Sequence, residues 1–163
     1  MDIEKIMEQY STKLLRYATS ILYNHQDAED VVQDVFITAF EKQDKFDGSN
    51  ISAWLYKITY NKSINKLKRN KFLIFGQTLP EDTVTPEYTG LDQNVLEAMK
   101  ILKPEDRALL YGKIVEGYTY EELSEQMGKT SASLRKRYER AKKQVATYLT
   151  KLDPETYGAM ERG

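Results

Sequence analysis

The sequence predicts an all-α protein of two small helical domains joined by an extended linker, the second domain containing a helix-turn-helix. Three observations carry this. Apolar residues recur every three or four positions through most of the chain, the spacing of one helical face. Gly76, Pro80, Pro86 and Gly90 punctuate a middle stretch poor in periodicity. Near the C-terminus a short capped helix, a glycine and a long basic helix follow one another. The boundaries that follow are a first domain over 1–72, an acidic linker over 73–92, a second domain over 93–152 and a tail over 153–163.

Taken in order, Ile3, Ile6, Tyr10, Leu14, Tyr17 and Ile21 define the first helix. Asp27 reads as the N-cap of the second, with Glu29 and Asp30 in its first turn, where the positive end of the helix dipole favours acids. Its core stripe is Ala28, Val31, Val32, Val35, Phe36, Ala39 and Phe40. A turn-like loop, Lys45 to Asn50, precedes a third helix over 51–70. That helix carries two apolar stripes on opposite sides, Ile51, Trp54, Leu55 and Ile58 against Ala53, Tyr56, Tyr60, Ile64 and Leu67. After the tether, a helix is expected over 91–102, and Pro104 with Glu105 and Asp106 opens another that ends near Gly117. Thr119 and Glu122 fit a capping box, Gly128 suits a left-handed turn, and Thr130 or Ser131 caps the long last helix. Strand alternation and internal repeats are lacking.

Composition narrows the function. The chain has 163 residues with no Cys and a single His, His25, which excludes disulfides and thiolate metal sites and leaves little room for His-based catalysis. No metal, cofactor or enzymatic reaction is expected. Asp30 and Asp34 resemble the paired acids of all-α prenyl-transfer enzymes, but the chain is too short for that cavity and has no second acidic cluster. There is no apolar run long enough to span a membrane, and the first residues lack the features of a signal peptide, so a cytoplasmic protein without membrane insertion is expected.

A net charge of −1 conceals an uneven distribution. Residues 73–92 hold four acids and no base, whereas 93–152 hold 12 basic groups against 8 acidic. Seven basic groups lie between Lys129 and Lys143, with Glu139 the one acid among them. Basic surfaces of this kind neutralise phosphates. On the last long helix Leu134, Tyr138, Ala141, Val145 and Tyr148 form an inward stripe, with Lys136, Arg137, Arg140 and Lys143 opposite. Its first turns offer Thr130, Ser131, Ser133 and Arg135, the place from which a recognition helix reads base edges. The third helix admits two readings. Its stripes describe a helix sandwiched between neighbours, which favours burial of Trp54. Alternatively its aromatic and amide groups meet unstacked bases, with Lys57, Asn61 and Lys68 along a nucleic-acid backbone. The outer face of the second helix, Asp30, Gln33, Asp34, Ile37 and Glu41, sets an apolar anchor among acids, a pattern suited to a protein partner.

The ordered series Asp27-Ala-Glu-Asp-Val-Val-Gln-Asp-Val-Phe36, Ile51-Ser-Ala-Trp-Leu-Tyr-Lys-Ile-Thr-Tyr-Asn61, Gly117-Tyr-Thr-Tyr-Glu-Glu-Leu123 and Arg135-Lys-Arg137 with Arg140 closely resembles the extracytoplasmic-function (ECF) class of bacterial RNA polymerase sigma factors. The resemblance covers residues 1–150. It implies an alternative sigma factor that binds core RNA polymerase, recognises promoter DNA and helps open it. In that reading Asp30, Gln33, Asp34 and Ile37 grip the clamp helices of the β′ subunit. The loop Lys45, Phe46, Asp47, Gly48 and Asn50 captures a flipped base of the minus-ten element, and Trp54, Lys57, Tyr60 and Asn61 support that pocket or the separated strand. Thr130, Ser131, Ser133, Arg135, Lys136, Arg137 and Arg140 belong to the reader of the minus-thirty-five element. About 20 linker residues reach at most roughly 66 Å, comparable with about two DNA turns of about 34–36 Å each. The resemblance also implies a dedicated anti-sigma protein. The rival reading is a stand-alone two-domain helix-turn-helix regulator that never touches polymerase.

Overall fold

The computed structural model describes residues 1–73 and 84–162. Nine α-helices are present among them, α1 (Ile3–Leu22), α2 (His25–Glu41), α3 (Ile51–Leu73), α4 (Pro86–Thr89), α5 (Gln93–Met99), α6 (Pro104–Ile114), α7 (Tyr120–Met127), α8 (Ser131–Leu152) and α9 (Pro154–Arg162). A single 3₁₀ turn, Gln43–Lys45, follows α2. Most of the tether anticipated between the domains, 74–83, lies outside the described residues.

Helix ends follow local chemistry. Asp2 caps α1, and Tyr23 closes it in the left-handed conformation (φ 50°), its N–H donating to the Thr19 carbonyl. Asn24, rather than Asp27, caps α2, its side chain accepting from Asp27 N at 2.9 Å. The sharp turn at Tyr23 lets α2 begin three residues earlier than the apolar stripe suggests. Asp27 instead turns toward α3, receiving the Asn70 amide at 3.1 Å with Lys66 Nζ 4.0 Å away.

Helices α1, α2 and α3 pack together on one side, and α5 to α8 on the other, but the two groups are not separate. One apolar cluster runs from Leu14, Tyr17, Val35 and Leu55 through Tyr56 to Leu109, Tyr111, Leu123 and Leu134. The double stripe on α3 has its explanation here. One side meets α1 and α2 while the other meets α7, so Leu55, Tyr56, Thr59 and Tyr60 are all buried. Tyr17 joins the halves, its ring centroid 4.7 Å from that of Tyr56 and 5.7 Å from that of Tyr111. The Tyr56 hydroxyl donates to Glu116 Oε1 at 2.6 Å, and Ser52 shares a hydrogen bond of 2.7 Å with the Tyr118 hydroxyl. Burial, then the bond to Glu116, holds the Tyr56 hydroxyl far above the ordinary phenol range, so it remains a donor.

The most deeply committed contact is Arg107 of α6, only 8% exposed. Its Nε donates to the Ser20 carbonyl at 2.9 Å, Nη2 to the Ile21 carbonyl and Nη1 to the Leu102 carbonyl at 2.7 Å. The Tyr23 ring lies 4.7 Å from its guanidinium carbon. A planar cation thus caps the negative end of α1 from the opposite half.

The end of the tether is not extended as expected. Pro86 fixes the first turn of α4, which packs on α1 with Thr89 at 1% exposure, and Gly90 closes it with φ 76°. The tail, given only bounds by the sequence, forms a helix. Asp153 caps α9 through Thr156 N at 3.2 Å, and α9 folds back on α8, placing Tyr157 against a second cluster built on Met99, Leu102, Val145 and Leu149.

Gly112 lets α6 and α7 approach closely. A Cβ there would stand 2.7 Å from Leu123 Cδ2, and Leu123 is fully buried. Gly112→Ala is therefore expected to destabilise by about 1 kcal/mol, overpacking outweighing the gain in helix propensity. The shift in urea midpoint measures it.

Candidate nucleic-acid and partner interfaces

Three surfaces collect the candidate residues. The first is the loop after α2 and the start of α3. Asp47 Oδ1 accepts from Ser49 N at 2.9 Å and from Ser49 Oγ at 2.6 Å, bonds that lower its carboxyl pKa. Gly48 takes φ 82°, and Asn50 caps α3 by accepting from Ala53 N at 3.0 Å. These polar side chains build the loop and set Phe46 against Trp54, with ring centroids 4.7 Å apart at 23°. The result is a cleft of about 250 Å³ with Lys45, Phe46, Trp54 and Lys57 on one wall and Glu122, Glu125 and Gln126 of α7 on the other. Trp54 is half-buried, Lys57 and Asn61 are exposed. Tyr60, implied to support the pocket or the separated strand, is 5% exposed and lies in the core, so of these two roles direct contact with a strand is the one its position does not allow. Its place on the second stripe of α3 turns it inward, and burial raises its hydroxyl to about 12.

The second surface is the helix-turn-helix. Thr119 accepts from Glu122 N at 3.1 Å while Glu122 Oε1 accepts from Thr119 N at 3.0 Å, the reciprocal capping box that the sequence predicts. Gly128, φ 67°, turns the chain, and Thr130 caps α8 by accepting from Ser133 N at 3.1 Å. Leu134 and Ala141 are buried, as the inward stripe requires, leaving Thr130, Arg135, Lys136 and Arg140 exposed, with Ser131 and Ser133 half-buried. Arg137 departs from this group. Its Nε donates to Asp106 Oδ1 at 2.9 Å, and Nη2 lies 3.9 Å from Glu105, so it ties α8 to the start of α6. The acids read as a helix-opening signal on α6 have a second use as its partners.

The third surface is the outside of α2. Asp30, Gln33, Asp34 and Ile37 are all exposed, Ile37 at 56%. Phe40, assigned to the core stripe from its sequence position, is 58% exposed and stands three residues from Ile37. Ala28, Val31, Val35 and Ala39 already fill the inward face, and the spacing of Gln33, Ile37 and Phe40 marks one outward line. Asp30 and Asp34 also border a groove of about 500 Å³ whose far wall is Lys62, Lys66, Lys68 and Arg69 of α3. Among the described residues no cluster of His, Cys, Asp or Glu could hold a metal ion, and no helix is long and apolar enough to cross a membrane.

A capped helix-turn-helix with basic side chains exposed on its second helix, packed on a second helical unit, defines a helix-turn-helix class of protein. The family description of sigma-70 region 2 matches residues 6–72, and that of sigma-70 region 4 matches 92–145. The ECF RNA polymerase sigma factor SigE of Mycolicibacterium smegmatis is 29% identical over 94% of the chain, which spans 63% of that relative's length. The RNA polymerase sigma factor YlaC of Bacillus subtilis is 25% identical, with 91% of this chain and 92% of the relative covered. The sigma factor RpoE of Bartonella quintana, solved in complex with the anti-sigma factor NepR, superposes with a TM-score of 0.81 at 27% identity, covering 93% of this chain and 98% of that one. The chain belongs to the ECF sigma factors of the sigma-70 family.

Proposed function

We propose that this alternative sigma factor docks on the β′ clamp helices of core RNA polymerase through Asp30, Gln33, Asp34, Ile37 and Phe40. Phe46, Trp54 and Lys57 then receive an unpaired base of the minus-ten element, a step in which unstacking costs a few kcal/mol and pocket contacts offset it. The start of α8, with Arg135, Lys136 and Arg140 exposed, reads the minus-thirty-five element. Action with polymerase places the protein in the cytoplasm. An anti-sigma partner fits the same reading, supported by the NepR complex of the RpoE relative.

The observation that carries this over a stand-alone regulator is the exposed Ile37 and Phe40 pair ringed by acids, a surface unsuited to DNA. The test is co-elution of the purified chain with bacterial core polymerase by size exclusion, followed by transcription from a promoter library in the same fractions. Co-elution with promoter-dependent transcripts supports the reading. A folded chain that never co-elutes refutes it and promotes the regulator. Within that assay Arg135→Ala is expected to cost about 1–3 kcal/mol at one or two upstream bases. A loss independent of sequence would make Arg135 a phosphate contact instead.

A further inference from the structure

Arg135 is held by an aromatic ring before any DNA arrives. Its guanidinium carbon lies 4.6 Å from the centroid of Tyr120, the first residue of α7, while Lys113 Nζ of α6 lies 4.4 Å from the same ring. The edge of Tyr138 on α8 approaches that ring at 6.1 Å and 74°. Tyr120 is therefore flanked by side chains of two neighbouring helices and offers Arg135 an aromatic platform. Among the described residues Arg135 makes no ion pair, so the ring is the contact that orders it. Arginine has many rotamers, and a bidentate contact with a base edge needs its planar fork in one of them.

We infer that Tyr120 is a positioning residue for base reading, pre-ordering the Arg135 guanidinium by stacking so that it meets the minus-thirty-five element in one orientation. The inference rests on the reading of Arg135 as a base contact. It predicts that loss of the ring relaxes sequence discrimination at the positions Arg135 reads and leaves phosphate-driven affinity in place.

The experiment uses the full chain with core polymerase and a promoter library randomised across the upstream element. Arg135→Ala first identifies which base positions lose discrimination. Tyr120→Leu is then expected to reduce discrimination about two- to five-fold at those positions alone, the scale of an exposed cation–π contact, with the salt dependence of binding unchanged. Tyr120→Phe, which keeps the ring, should retain wild-type discrimination. As a readout independent of DNA, the Arg135 side-chain Nε–H resonance should be ring-shifted in the wild type and in Tyr120→Phe, and should move toward the value of a free arginine in Tyr120→Leu. Unchanged discrimination in Tyr120→Leu at positions that Arg135→Ala relaxes would overturn the inference, as would a loss spread evenly over all positions, the mark of a role in folding alone. If Arg135→Ala itself leaves discrimination intact, the base-reading assignment fails, and the inference with it.

Discussion

Ile37→Asp and Phe40→Ser are each expected to weaken binding to core RNA polymerase by about 30-fold, or about 2 kcal/mol, the scale of a central interface residue. Both side chains are more than half exposed, so neither holds the fold together, and the unfolding free energy should move by less than about 0.5 kcal/mol. Titration of labelled chain into polymerase measures the first quantity and urea unfolding the second. Asp34→Asn serves as a comparison, because a rim charge alters association rate and salt dependence more than final affinity. Unchanged affinity in both apolar variants, with the chain folded, would remove α2 from the polymerase interface.

Arg107→Met is expected to destabilise the fold by about 2–4 kcal/mol. The variant keeps much of the apolar stem but removes all three donors, leaving the buried carbonyls of Ser20, Ile21 and Leu102 without the partners they now have. Hydrogen bonds from a charged group are worth about 1.5–3 kcal/mol, and stranding buried acceptors adds to that. Burial opposes the charge of Arg107 and lowers its pKa, and the carbonyls at the end of α1 offset that cost. Arg107→Lys retains the charge without the planar fork and should lose less. Equilibrium urea unfolding of the three proteins gives the ordering, and equal stability of Arg107→Met and wild type would contradict it.

Much of this molecule is legible in its sequence wherever a signal is local. The capping box at Thr119 and Glu122, the turn at Gly128 and the inward stripe from Leu134 to Val145 depend on neighbours in the chain, and the structure has them as read. Likewise the two stripes of α3 correctly describe a helix with partners on both sides. What escaped depends on residues far away. Nothing near Arg137 in sequence shows that Asp106 and Glu105 neutralise it, and nothing near Tyr60 shows which of its neighbours covers it. Phe40 looked like core because hydrophobicity is a one-way guide, and an apolar residue on a crowded stripe can still face outward. Helix α4 was hidden by the same Pro86 and Gly90 that suggested a tether, since those residues also open and close a single helical turn. The docking of the two halves rests on Arg107 and on tyrosine pairs separated by many residues, which periodicity does not report.

The cleft between the Phe46 loop and α7 has a thermodynamic consequence. Glu122, Glu125 and Gln126 form one wall of the cleft, so in the proposed reading a DNA strand entering from that side is expected to part α7 from the loop. Any ligand that binds only the parted form has its apparent dissociation constant raised by the inverse of the fraction of molecules already parted. Arg107 and the Tyr56–Glu116 bond both join the two halves, so weakening either is expected to raise that fraction, lowering stability and raising apparent affinity together. The two quantities are then coupled as a single set point, and Arg107→Lys, the milder lesion, should bind promoter DNA more tightly at the temperature where it still folds.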